Sequence, residues 1–183
     1  VLTTDVQEGM RIAGIISGAG GLTKVGTDSL IISGANSYSG ATIVSAGLVQ
    51  IQNQDAFGST NPGPSSTSAS TTSIAGGAEL KIIGDNFIIP ETLTLEGNGV
   101  NNVGVVYNPS GKNTLSGAIT INGKSQFYSS GTSINDSLLI TNSVNVTGVN
   151  TIYSNGLILN YDVSKTASYA GTGTTLVDLI GNT

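Results

Sequence analysis

Residues 18–49 read GAGGLTKVGTDSLIISGANSYSGATIVSAGLV, and this stretch decides the fold. Leu22, Leu30, Ile31, Ile32, Ile43, Val44, Leu48 and Val49 supply short apolar strand cores. Gly18, Gly20, Gly21, Gly26, Gly34, Gly40 and Gly47 interrupt them every few residues, which leaves no room for a helix between strands. Strands this short and this close suit a chain that winds around itself, one brief strand per side. Glycine then takes the corner conformations that other residues avoid.

The composition agrees. Gly, Ser, Thr and Asn together make 88 of 183 residues, an unusual balance for a globular enzyme. Polar, weakly charged sequence of this kind is often disordered. Here 38% of residues are apolar and many fall in alternating runs, so an elongated all-β structure with polar corners accounts for both halves. Cys, His and Trp are absent, which removes disulfides and the usual zinc and haem ligands. The six basic residues, Arg11, Lys24, Lys81, Lys112, Lys124 and Lys165, are scattered singly in a chain of net charge −5. That pattern argues against a nucleic-acid surface. No run approaches the ~20 apolar residues of a membrane helix, and the apolar stretch at residues 10–16 is too short for a signal peptide. The ends of the chain read as cuts through something longer.

Farther along, Leu80 and Ile82 alternate with Glu79 and Lys81, and Leu93 and Leu95 with Thr92, Thr94 and Glu96. Ile119 and Ile121 alternate with Ala118, Thr120 and Asn122, and Val144 and Val146 with Asn145 and Thr147. A period of two gives one buried and one wet face. The pairs that begin at Leu93, Ile119 and Val144 are 26 and 25 residues apart, an interval suited to one turn of a three-sided coil. Residues 60–73, TNPGPSSTSASTTS, predict a loop that leaves one corner, because Pro62 and Pro64 remove backbone donors and the rest supply no core. The expected fold is all-β: a right-handed parallel β-helix, or solenoid, over residues 1–153. A tandem of β-sandwiches is the alternative, with Asn98-Gly99, Asn122-Gly123 and Asn155-Gly156 as its candidate hairpin turns.

Residues 18–59 also resemble the autotransporter-associated β-strand repeat of bacterial surface proteins. The resemblance rests on Gly20, Gly21, Leu22, Thr23, Lys24 and Gly26, then Ser33, Gly34, Asn36, Tyr38, Gly40, Thr42, Val44, Gly47 and Leu48. Asp28-Ser29 depart from the usual Gly-Thr, and Asp55 to Ser59 resemble the closing A-L-G-S segment. Residues 91–123 are similar to the non-repeat coils of autotransporter passengers. Residues 154–183 resemble the opening of a laminin G-like, concanavalin-type β-sandwich, through Gly156-Leu157, Leu159, Asp162, Ser168-Tyr169, Gly171, Gly173-Thr174, Asp178-Leu179 and Gly181-Asn182. Ala170 stands where that family has Pro, Leu176 or Val177 near its Trp, and Ile180 in place of Ser. The resemblance implies the truncated start of a second module, a C-terminal segment that begins a β-sandwich.

For chemistry, a glycosidase needs two carboxyls about 5–10 Å apart across a cleft. Glu91 and Glu96 differ by an odd number and fall on opposite faces of a regular strand, while Glu79 and Asp85 straddle a turn at Gly84. These acids read as a solvated face, and no catalytic residue is assigned. Gly84-Asp85-Asn86 and Asn135-Asp136 offer one carboxylate per loop, which suits turn chemistry better than calcium. No metal or cofactor is expected. Tyr38, Tyr107, Tyr128, Tyr153, Tyr161, Tyr169, Phe57, Phe87 and Phe127 read as coil and corner packing ahead of a sugar-stacking stripe. Asn135-Asp-Ser137 and Asn145-Val-Thr147 match the N-glycan acceptor pattern.

The reading is a non-enzymatic stalk of a surface spike or fibre that displays a lectin-like module. A virion attachment spike comes first, a bacterial autotransporter adhesin passenger second and a glycan-cleaving tailspike third. The expected partners are other chains of the same fibre, as in a homotrimer, capsid or envelope proteins, and cell-surface glycans through a further C-terminal domain, with no nucleic acid. The expected location is the virion surface or the cell exterior. The residues assigned structural roles in the repeat are Gly20, Gly21, Leu22, Lys24, Gly34, Asn36, Tyr38, Gly40 and Gly47.

Overall fold

A computed structural model describes residues 1–5, 9–58, 71–131, 133, 136–147 and 153–155 of the chain. Its strands follow one another around a common axis. β1 (Leu2–Asp5) and β2 (Met10–Ile12) form the first coil, β3 (Leu22–Val25) and β4 (Ser29–Ile32) the second, and β5 (Thr42–Val44) and β6 (Gly47–Ile51) the third. The fourth coil holds β7 (Thr71–Ile74), β8 (Ala78–Ile83) and β9 (Ile88–Ile89). The fifth holds β10 (Thr92–Gly97), β11 (Val106–Ser110) and β12 (Lys112–Leu115). β13 (Ile119–Ser129) and β14 (Ser137–Ile140) form the sixth, and β15 (Val144–Thr147) and β16 (Tyr153–Asn155) the seventh.

Among the described residues every strand pairs parallel to its neighbour in the next coil. The first sheet runs β1-β3-β5-β7-β10-β13-β15, and the second runs β2-β4-β6-β8-β11-β13-β16. β13 passes unbroken from one sheet to the other, and a third sheet, β9-β12-β14, covers the remaining side. This is a parallel β-helix, and the all-parallel pairing replaces the tandem of hairpin-built sandwiches.

Interior positions stack in columns. One runs Leu2, Leu22, Thr42, Thr72, Leu93, Ile119, Val144, so successive coils advance by 20, 20, 30, 21, 26 and 25 residues. The last two steps are those read from the alternation. The step of 30 contains residues 59–70, which lie outside the described residues. β7 begins inside the stretch predicted to be loop, because Thr71, Thr72 and Ser73 are small or β-branched and Thr72 finds a buried acceptor. Burial in these columns needs a coil on both sides. Leu22 and Ile119 are 1% exposed, whereas Leu2 in the first coil is 44% exposed and Val146 in the seventh 36%. Each enclosed Leu or Ile contributes roughly 1.5–3 kcal/mol. The second-sheet pairing continues to Asn155, past the boundary expected at 153. Apart from Ser154 and Asn155, the segment likened to a laminin G opening lies outside the described residues.

Candidate functional site: corner ladders of the repeat

Period two places Lys24 on the same face as Leu22, and that face is inward. Lys24 is fully buried, in register with Thr4 of the first coil and Val44 of the third. A buried ammonium is tolerated only when its donors are met. Lys24 Nζ donates to the carbonyls of Gly26 at 2.7 Å, Ala46 at 2.8 Å and Val25 at 3.3 Å. It thereby clamps the corner between the first and second sheets in two successive coils. Gly47, φ +70°, completes that corner, and a Cβ there would stand 2.5 Å from the Thr27 carbonyl.

The opposite corner is built from Ser33–Gly40. Asn36 Oδ1 accepts from the Ile16 amide at 2.8 Å, and Nδ2 donates to the Ala56 carbonyl at 2.6 Å. One side chain therefore joins three coils, at positions 20 residues apart. The Ser37 amide donates to Ile16 O, and Ser39 to Gly18 O, which extends the ladder where no strand exists. Gly34 packs on the Gly14 carbonyl, Gly40 on Gly20 and Gly21, and Gly21 on the Ala41 carbonyl, where a Cβ would approach to 2.1 Å. Gly20 lies against the backbone of Val1. The structure thus brings the predicted residues into two clusters, with Leu22 and Lys24 on the strand between them.

Tyr38 is 1% exposed, and its hydroxyl meets Thr42 Oγ1 at 2.6 Å. Burial pushes its pKa up to about 12, the Thr42 hydrogen bond opposes the shift, and Glu91 adds to it. One coil on, Thr72 Oγ1 donates to Glu91 Oε1 at 3.0 Å, so a polar column, Tyr38–Thr42 and Thr72–Glu91, runs inside the helix.

Two acids depart from the solvated face expected of them. Glu91 is 2% exposed because it lies two residues before Leu93, on the inward side. Glu79 points outward yet is equally buried, and its pKa is raised, by burial first; Lys81 and the Val100 amide oppose the rise. Glu96 and Asp85 are exposed as expected. Glu91 and Glu96 sit on opposite faces, and in each acid pair one member is buried and the other exposed.

Sequence reading missed a second polar corner. Asn113 Oδ1 accepts from the Phe87 amide at 3.0 Å, and its Nδ2 donates to Asn108 Oδ1 at 2.8 Å and Gly84 O at 3.0 Å. Asp85 Oδ1 accepts from Lys112 N at 2.9 Å, and Asp136 accepts from Gly111 N at 2.6 Å and Ser133 N at 2.8 Å. Those amides hold the Asp136 carboxyl below its ordinary range. The only signal was the turn preference of Asn and Asp. Asn135 lies outside the described residues, and Asn145 is exposed on the outer face of β15.

Phe57 and Phe127 are core residues, and Phe87 packs against the core. Tyr107 and Tyr128 are register partners with ring centroids 5.4 Å apart, and Lys81 Nζ lies 5.5 Å from the Tyr107 centroid. These rings pack on one another along the axis, as cross-strand pairs do. The side chain of Tyr153, with Tyr161 and Tyr169, lies outside the description.

Residues 22–51 match the family described as Passenger-associated-transport-repeat. The chain is similar to the Adhesin BmaC autotransporter of Brucella suis biovar 1 (strain 1330), at 30% identity over 160 residues. That match takes in 76% of this chain and 4% of the relative. No solved structure matches. The chain therefore carries an autotransporter-type repeat, set in the second and third coils of a parallel β-helix.

Proposed function

We propose that this chain is a stalk segment in the passenger of a bacterial autotransporter adhesin, which stiffens and spaces the molecule at the cell surface. The observation that carries this reading is the parallel pairing of seven successive coils through the repeat at 22–51. Each coil is hydrogen bonded to its neighbours, so bending costs backbone bonds. At the usual strand spacing the described coils span roughly 30 Å. The similarity to an adhesin supports the bacterial alternative over the virion spike that the sequence reading put first. The tailspike reading loses ground because Glu91 lies inside the helix and Glu79 is covered. We read the segment as non-catalytic, with other surface chains or cell-surface glycans as its partners.

Antibodies raised against the folded segment test this on the source material. The reading expects labelling of intact cells, loss of label after surface proteolysis, and recovery with the outer-membrane fraction. Recovery with capsid proteins in purified particles would overturn it.

A further inference from the structure

The pairing of β13 is interrupted at one place. Toward the fifth coil its register runs from Leu93↔Ile119 to Glu96↔Asn122 and resumes at Gly97↔Ser125. Toward the seventh it pairs Asn122↔Thr147 and Gln126↔Tyr153, and residues 148–152 between those partners lie outside the described residues. Gly123 therefore has no partner in the register with the fifth coil. It is exposed, has φ +76°, and has no atom within 4 Å of where a Cβ would stand. Asn122 is also exposed, and its Oδ1 accepts a hydrogen bond from Thr147 Oγ1 at 2.7 Å, which withdraws electrons from Cγ. Two residues after Gly123, Ser125 Oγ is buried with no hydrogen-bond partner, so local opening there lets water satisfy a group that the closed strand leaves unmet.

We infer that Asn122-Gly123 is a self-modification site, where the Asn122 side chain deamidates through a cyclic imide to aspartate or isoaspartate. The Gly123 nitrogen attacks Asn122 Cγ, so a Cγ–N bond forms and the Cγ–Nδ2 bond breaks. Nδ2 leaves as ammonia with the proton given up by Gly123. Solvent water then opens the ring. Attack at the side-chain carbonyl leaves aspartate, and attack at the main-chain carbonyl leaves isoaspartate. No oxidant or cofactor enters.

Asn98-Gly99 is the internal control. The dipeptide is the same, but Gly99 is buried against the Gly104 carbonyl, and the Gly104 amide donates to Asn98 O at 2.7 Å. That closed loop restrains the attacking nitrogen. The consequence at Asn122 is local: a new carboxylate one strand from exposed Glu96 sets like charges opposite each other. Isoaspartate also adds a main-chain methylene where the first sheet turns into the second, so the site acts as an age-dependent weak point in the stack.

Incubation of the purified chain at mildly alkaline pH, folded and in urea, tests this by peptide mapping. Mass spectrometry scores the amide-to-acid exchange, and enzymatic methyl transfer scores isoaspartate. In the folded chain Asn122 is expected to convert at least about tenfold faster than Asn98, the factor set by about 1.4 kcal/mol of local opening. In urea the two rates should converge. Conversion at Asn98 as fast as at Asn122 in the folded chain, or a ratio that persists in urea, would overturn the assignment.

Discussion

The second coil and the fifth close the same circuit by different means. From Leu22 the chain returns to register in 20 residues, and from Leu93 in 26. The longer coil closes its third side with β12, whose Leu115 is fully buried. The shorter one has only Ser33–Gly40 for that side, and Asn36, Tyr38 and close-packed glycines do the work of a strand. Closure by apolar packing tolerates many sequences. Closure by one amide that reaches three coils tolerates few, which is why the repeat reads as a motif and the later coils only as a period.

The largest test of this contrast falls on Lys24. Lys24→Ala leaves a cavity and strips donors from Gly26 and Ala46, and should cost about 4 kcal/mol in urea unfolding. Lys24→Met refills the space and should recover about half. A loss under about 1 kcal/mol for Lys24→Ala would show that the clamp is ornamental.

Next comes a direct comparison of the two closures. Asn36→Ala orphans the buried Ala56 carbonyl and the half-buried Ile16 amide and should cost about 3 kcal/mol, and Asn36→Leu should be no better. Leu115→Ala should cost about 2–3 kcal/mol, but Leu115→Met should cost less than about 1.5. Equal rescue by apolar volume at both sites would erase the distinction.

Tyr38→Phe should cost about 1 kcal/mol near neutrality, through Thr42. Its sharper signature is in pH. A phenol held at about 12, against an ordinary 10.0, contributes stability that is whole below pH 10 and is lost as pH rises through 12. That loss, roughly 2–3 kcal/mol, should be missing from Tyr38→Phe, so the two stability curves should cross in alkali, the variant ending the more stable.

Glu79→Gln should have the smallest effect, under about 1 kcal/mol. The Glu79 carboxyl is held above its ordinary range, so its favourable contribution is present in acid and fades as pH rises through the folded pKa. The variant should therefore gain on the native chain between pH 4 and pH 8. A gain on acidification would reverse the assignment.

Much of this was legible in the residues. The pairs Leu93/Leu95, Ile119/Ile121 and Val144/Val146 stack in register because side-chain direction in a strand has period two. The same period already placed Lys24 beside Leu22 and Glu91 beside Leu93; expectation about charge, not geometry, pointed Glu91 to solvent. Burial of Glu79 was not legible, because it depends on the 3₁₀ turn Val100–Asn102, a cover from outside its own strand. Nor was the Asn108–Asn113 network, since a turn residue in sequence does not say which carbonyl of the adjacent coil it will meet.

The central claim is the coil register, and the absence of native cysteine makes it directly measurable. Paired cysteines at Thr23 and Ile43, and separately at Thr94 and Thr120, occupy register partners on the outer face of the first sheet. Adjacent parallel strands put such positions within disulfide reach. Rapid oxidation of both pairs, with no closure of a control at Thr94 and Asn122, is the predicted result. Failure of either register pair to close, or closure of the shifted control instead, would contradict the β-helix described.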